Sequence, residues 1–171
     1  MIIANWKCNG SIEMMFSWTD DYVKECDDIH TFDTFVGVAP PSIYFETFSV
    51  EISHLNILGG VQDIDYLDGS RTGAISVDML IDLGCDFSII GHSERRQIFN
   101  EDNNLIRKKL KSLNEKIMTI LCIGETKEEN DKGITKDALK DQLQIVKGLE
   151  LDPAYTTGVF VCLAKSTLIK S

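Results

Sequence analysis

A chain of 171 residues, 43% hydrophobic and 26% charged, is long enough to bury one sizeable core and has the composition of an ordinary globular protein. Its 27 acidic side chains outnumber the 17 basic ones, giving a net charge of -10. No compensating basic block appears, which argues against nucleic acid or an anionic membrane as partner and leaves any small anionic substrate dependent on locally placed cations.

The five cysteines lack paired metal-type spacing, and the apolar start Met1 to Ala4 is too short for a signal peptide, so reduced thiols in a cytosol are expected. No apolar run approaches the roughly 20 residues of a membrane span.

In chain order, Ile2 to Trp6 is the first of six short apolar runs that predict strands, followed by helical periodicity over Ile12 to Cys26. The second strand, Phe35 to Ala39, ends at the Pro40-Pro41 break, after which Ser42 is placed to cap a helix reaching Val50. Asn56 to Val61 predicts the third strand, and Val77 to Leu83 the helix after it, with Gly84 as its stop. Phe87 to Gly91 is the fourth strand; Asn103 and Asn104 can cap the helix that runs to Asn114. Met118 to Ile123, a helix over Lys136 to Val146, and a last strand Val159 to Leu163 complete the series. Strands that are apolar almost throughout and alternate with helices predict an α/β fold with a parallel sheet buried on both faces, in one domain over residues 1–171.

In such folds the loops after the C-terminal strand ends carry chemistry. A polar or charged group arrives at nearly every one: Asn5-Trp6-Lys7, Pro41-Ser42, Gln62-Asp63, His92-Ser93-Glu94 and Gly124-Glu125. Asn5 and Lys7 share a face at period-2 spacing, which suits an amide and an ammonium aimed at one small anion, although a solvated strand-end lysine fits as well. His92 follows Ile90-Gly91, and Ser93 and Glu94 are placed to open a short helix whose N–H groups would keep the imidazole neutral; a structural histidine is the alternative. Arg95 and Arg96 suit either an anion or structural ion pairs. His30 and His54 read as exposed, Cys122 as a small buried hydrophobe, and the basic helix bearing Arg107, Lys108, Lys109 and Lys111 as a solvated face. Gly124 and Gly133 form no phosphate loop.

Six stretches in order resemble the triosephosphate isomerase family: Asn5 to Ser11, Ala39 to Ser42, Gly60 to Asp63, Thr72-Gly73, Ile89 to Arg96 and Leu121 to Thr126. The resemblance covers about residues 2 to 150. It implies a (β/α)8 barrel enzyme, a cytoplasmic homodimer that interconverts dihydroxyacetone phosphate and glyceraldehyde 3-phosphate in glycolysis and gluconeogenesis with no metal or organic cofactor. By the family's pattern Lys7 would pair with substrate phosphate and the developing enediolate, Asn5 would contact a substrate oxygen, and His92 would be the neutral electrophile. Glu94 would orient Lys7, Ser93 would support the helix start, and Thr72 and Arg95 would lie at the dimer interface.

The chain departs from that pattern at its C-terminal end. The family's base is a glutamate in a Tyr-Glu-Pro-Val-Trp run after the sixth strand; here the sequence reads Val161-Cys162-Leu163-Ala164-Lys165, and no acidic residue follows Asp152. The lid and the glycine-rich phosphate loops are missing too, so about five βα units and a sixth strand form an incomplete barrel, as expected of a truncated reading of a longer gene. Little or no turnover is expected of these 171 residues alone, with complementation by a C-terminal part or a non-catalytic binding role as the competing outcomes. The third loop, Gly69 to Ala74, carries Arg71 where the family has an apolar plug. Ala74 replaces a carboxylate that would pair with Arg95, predicting an unpartnered guanidinium and a weakened dimer.

Overall fold

The computed structural model describes residues 1–26, 35–66, 71–113, 116–149 and 159–163. The strands are β1 (Ile2–Asn5), β2 (Val36–Ala39), β3 (Ile57–Val61), β4 (Phe87–Ile90), β5 (Met118–Ile123) and β6 (Val159–Leu163). They form one parallel sheet in sequential order. All six lie within two residues of the predicted runs, because each is an apolar stretch bounded by turn residues.

The helices are α1 (Ile12–Glu25), α2 (Phe45–Glu51), α3 (Val77–Asp82), α4 (Ser93–Ile98), α5 (Asn103–Leu113), α6 (Lys127–Asp131) and α7 (Thr135–Leu143). Single 3₁₀ turns at Ser42–Tyr44 and Gln144–Val146 lead into α2 and close α7. No helix among the described residues is long and apolar enough to cross a membrane.

The parallel register assigns every side chain to a face. Ile3 pairs with Gly37, Gly37 with Leu58, Gly60 with Phe87 and Phe87 with Met118, so all six belong to one face, together with Asn5 and Ala39 two pairs further along. That face is concave. Phe87 is fully buried, and its ring lies where a Cβ on Gly60 would come within 2.4 Å and one on Gly37 within 2.8 Å. One side chain from β4 therefore covers two neighbouring strands, which a flat sheet would hold too far apart. Six parallel strands with helices between them thus make a curled half-barrel, an incomplete version of the (β/α)8 barrel. Hydrogen bonding among the described residues leaves β1 and β6 as its edges.

On the convex side, Trp6, Met15, Val38 and Phe48 pack α1 and α2 behind the first strands, and Val61, Leu80, Ile90, Ile106, Leu110 and Leu121 pack α3 and α5 behind the later ones. Three expectations about helix details need correction. Ser42 is the first residue of a 3₁₀ turn whose preceding residue is Pro41, and it makes no side-chain cap. The cap before α5 comes from Asp102, whose Oδ1 accepts from the Leu105 N–H at 2.7 Å; Asn103 instead joins Arg96 to Asp141. Helix α6 is not among the predicted helices, although Thr126 and Glu129 form a reciprocal capping box visible in the sequence as Thr-x-x-Glu.

The basic face of α5 is only partly solvated. Lys109 is 4% exposed, and its ammonium donates to both oxygens of Asp63 and to Glu101 Oε1, each at 2.7 Å. Arg107 donates to the backbone carbonyls of Ile145 and Lys147. Both act as braces, because burial across a tertiary contact leaves a charge stable only when it is paired.

Candidate active site

The concave face leads from Ile3 through Asn5 to the loop bearing Lys7, and this rim is where the sequence concentrates polar groups. Lys7 has φ 53, in the left-handed region that a residue with a Cβ enters at a cost of about 1 kcal/mol. Two neighbours hold it there. The Lys7 N–H donates to Asn5 Oδ1 at 2.8 Å, and Gln62 Nε2 donates to the Lys7 carbonyl at 2.8 Å and to the Ala39 carbonyl at 3.0 Å. The Asn5–Lys7 spacing thus builds a local clamp, and Gln62, to which no role was assigned from sequence, ties the ends of β1 and β2 together. Its signal was its place in the concave row after Leu58 and Gly60.

Beyond β4 the chain turns sharply at Gly91, whose φ of 72 favours glycine; a Cβ there would also crowd Arg96 Nη2 and the Cys122 carbonyl at 3.2 Å. His92 then caps α4: its Nδ1 accepts from the Glu94 backbone N–H at 3.3 Å. Glu94 turns its carboxylate to Lys7, with Oε1 2.8 Å from Nζ and Oε2 3.4 Å from His92 Nδ1. Burial lowers the His92 pKa below its ordinary 6.5; Glu94 pulls upward against this, and Lys7 adds to the lowering. The lowered pKa favours the neutral ring, and a neutral ring whose Nδ1 accepts from the Glu94 N–H carries its proton on Nε2.

The sign of this shift gives a checkable expectation. Because the unfolded chain binds a proton more readily than the folded one, stability contributed at His92 rises with pH through the window just below 6.5 and is lost as pH falls through it. The His92 ring resonances should titrate with a midpoint below 6.5; a midpoint at or above that value would mean that the Glu94 carboxylate dominates.

Asn5, Lys7, Gln62, His92 and Glu94 line one cavity of ≈ 620 Å³, with Cys8 and Phe99 at its mouth. Ser93, the first residue of α4, lines a different opening with Glu125 and Gln142. Thr72 is exposed, as is His54, whereas His30, Gly69, Ser70, Ala164 and Lys165 lie outside the described residues. Among the described residues no group of three or more His, Cys, Asp or Glu side chains could hold a metal ion.

Arg95 is not left without a partner, contrary to the expectation drawn from Ala74. Its Nη2 lies 2.7 Å from Asp63 Oδ2 and 2.5 Å from Glu101 Oε1, and its guanidinium stacks over the Phe99 ring. The same two carboxylates take the Lys109 ammonium, so two cations and two anions neutralise one another behind α4. Asp63 follows Gln62 directly and sits where only tertiary packing brings it to Arg95. Arg71 pairs with Asp65 at 3.0 Å and lies over Tyr66. Arg96 is also structural, donating through Nε to the Gly91 carbonyl and through Nη1 to Asn103.

A curled parallel sheet with helices between its strands, carrying a lysine, a glutamate and a histidine together at its C-terminal rim, defines a barrel-type α/β protein. The triosephosphate isomerase family model matches residues 1–156. Triosephosphate isomerases from Salmonella newport (strain SL254) and Salmonella typhimurium (strain LT2) are each 38% identical over 148 residues, covering 85% of this chain. The chain belongs to the triosephosphate isomerase family. It spans 57% of the length of these relatives.

Proposed function

We propose that this chain supplies the electrophile and the phosphate-facing cation of a triosephosphate isomerase site, for interconversion of dihydroxyacetone phosphate and D-glyceraldehyde 3-phosphate. The observation that carries the proposal is the Lys7–Glu94–His92 arrangement, in which Glu94 takes up the Lys7 ammonium while the Glu94 backbone N–H fixes the imidazole tautomer. A neutral imidazole acting as electrophile is the family's established chemistry and not a feature particular to this chain.

In this reading the His92 Nε2–H donates to the substrate carbonyl oxygen and stabilises the negative charge that grows there as a carbon-bound proton leaves. Lys7 faces the phosphate and the same oxyanion. Asn5 accepts from the Lys7 N–H through its carbonyl oxygen, and its amide nitrogen is placed to donate to a substrate oxygen. Ser93 supports the α4 start. No metal or organic cofactor is required, the setting is the cytoplasm, and residues 1–171 act as one unit.

Abstraction of the proton needs a carboxylate base, and the position that matches the family's glutamate is Ala164. Residues 1–171 by themselves are therefore proposed to bind triose phosphate without turning it over, and to gain activity when a polypeptide bearing such a glutamate is added. Homodimerisation through the surface bearing Thr72 and Arg95 is proposed to be weak, because Arg95 finds both carboxylates within its own chain.

A coupled isomerase assay on the chain alone and on the mixture tests this. Expected are background rates for the chain, turnover on mixing, loss of that turnover in His92→Gln, and a monomer by sedimentation at nanomolar concentration. Turnover by the unmixed chain, or a mixture that stays inactive while dihydroxyacetone phosphate leaves the His92 resonances unmoved, would overturn the proposal.

A further inference from the structure

The register of the last two strands sets Cys122 of β5 opposite Cys162 of β6. Opposed residues of a parallel pair share a face, and here it is the concave face that also carries Ile120 and Phe160 two pairs earlier. Neighbouring strands lie about 4.8 Å apart, within the roughly 4.4–6.8 Å of Cα separation that a disulfide spans. Cys8, Cys26 and Cys85 lie outside the strands, and none of them is opposed to a cysteine in the described strand register.

We propose that Cys122 and Cys162 form an intrachain disulfide under an oxidising thiol poise, a modification site that staples the edge strand β6 to β5. The two sulfurs play different parts. Cys162 is exposed and meets the oxidant first, whereas Cys122 is 5% exposed and burial, with the neighbouring Cys162 adding, pushes its thiol up to about 12.

The Cys162 thiolate attacks glutathione disulfide, forming a mixed disulfide and releasing one glutathione thiolate. Cys122 then loses its proton to solvent, and its sulfur attacks Cys162 Sγ and expels the second glutathione. Two protein thiols are oxidised to one disulfide while one glutathione disulfide is reduced to two thiols, so electrons balance. The second step is the slow one, because the buried thiol is seldom deprotonated. Among the described residues β6 is hydrogen-bonded to β5 alone, so a covalent link here secures an edge otherwise held from one side.

The test equilibrates the full chain in glutathione buffers of graded poise, quenches with acid, and maps tryptic peptides by mass. At oxidising poise two of the five thiols should become untitratable, the chain should be lighter by two hydrogens, and the peptides bearing Cys122 and Cys162 should be recovered joined. Cys162→Ser should keep all of its remaining thiols titratable in the same buffer. Retention of all five thiols, a lasting glutathione adduct on Cys162, or a link from Cys162 to another cysteine would overturn the proposal. Should the variant fail to fold, the peptide map of the unaltered chain decides by itself.

Discussion

Replacing Phe87 with alanine is expected to cost about 3–5 kcal/mol of folding stability, read as a lower urea midpoint with little change in slope. The ring is fully buried and fills the concave face above Gly60 and Gly37, neither of which has a side chain to collapse into the space. The converse change, Gly60→Ala, would put a Cβ 2.4 Å from the ring and should cost about 1–3 kcal/mol through overpacking. Because both act on the same space, the double variant should lose clearly less than the sum of the two single losses. Additive losses would show that the ring does not occupy the space over Gly60.

Lys109→Met should be nearly as damaging, at about 3–5 kcal/mol near neutral pH, because it strands the buried Glu101 and the half-buried Asp63 with one guanidinium. Lys111→Ala, on the exposed side of the same helix, should stay within about 0.5 kcal/mol of the unaltered chain. The deficit has a pH signature. Burial pushes the Glu101 carboxyl up, but hydrogen bonds from Lys109 and Arg95 outweigh it and hold the group below its usual 4.5. Its stabilisation is therefore present above 4.5 and lost as pH falls through the lowered value.

Asp63 shifts the opposite way: burial raises it above 3.8, and Lys109 only partly restores it. The opposite directions belong to one shared set of cations: at Glu101 the hydrogen bonds and charges of Lys109 and Arg95 outweigh burial, and at Asp63 they do not. Removing Lys109 lets both carboxyls accept protons more readily, so the deficit of the variant should shrink as pH is lowered toward about 4. Urea titrations at two pH values check this. A deficit that stays constant with pH would mean that the lysine acts through its aliphatic stem and not through its charge.

Much of this molecule was legible locally. The six strands, the parallel order and the grouping of Asn5, Lys7 and His92 at one rim follow from apolar runs, period-2 spacing and the polar residues that end each run. These signals lie within a few residues of one another, and backbone geometry converts them directly into a face and an end. The short helix at Ser93 was also readable, whereas the lowering of the His92 pKa comes first from burial, which the sequence does not show.

What tertiary structure alone decided is which charges are buried and who neutralises them. Lys109 shares the apolar face of α5 with Ile106, Leu110 and Leu113, but only the tertiary structure brings to it the carboxylate 46 positions away that neutralises it. Arg95 looked unpartnered after Ala74, and Asp63 and Glu101 supplied what was missing. Gln62 became the brace of a strained Lys7 only once β1, β2 and β3 lay side by side. The sequence determines the pattern of faces and strand ends. The energetic worth of a charge depends on the solvent removed from it and on the partner brought to it, and both depend on how the elements close over one another.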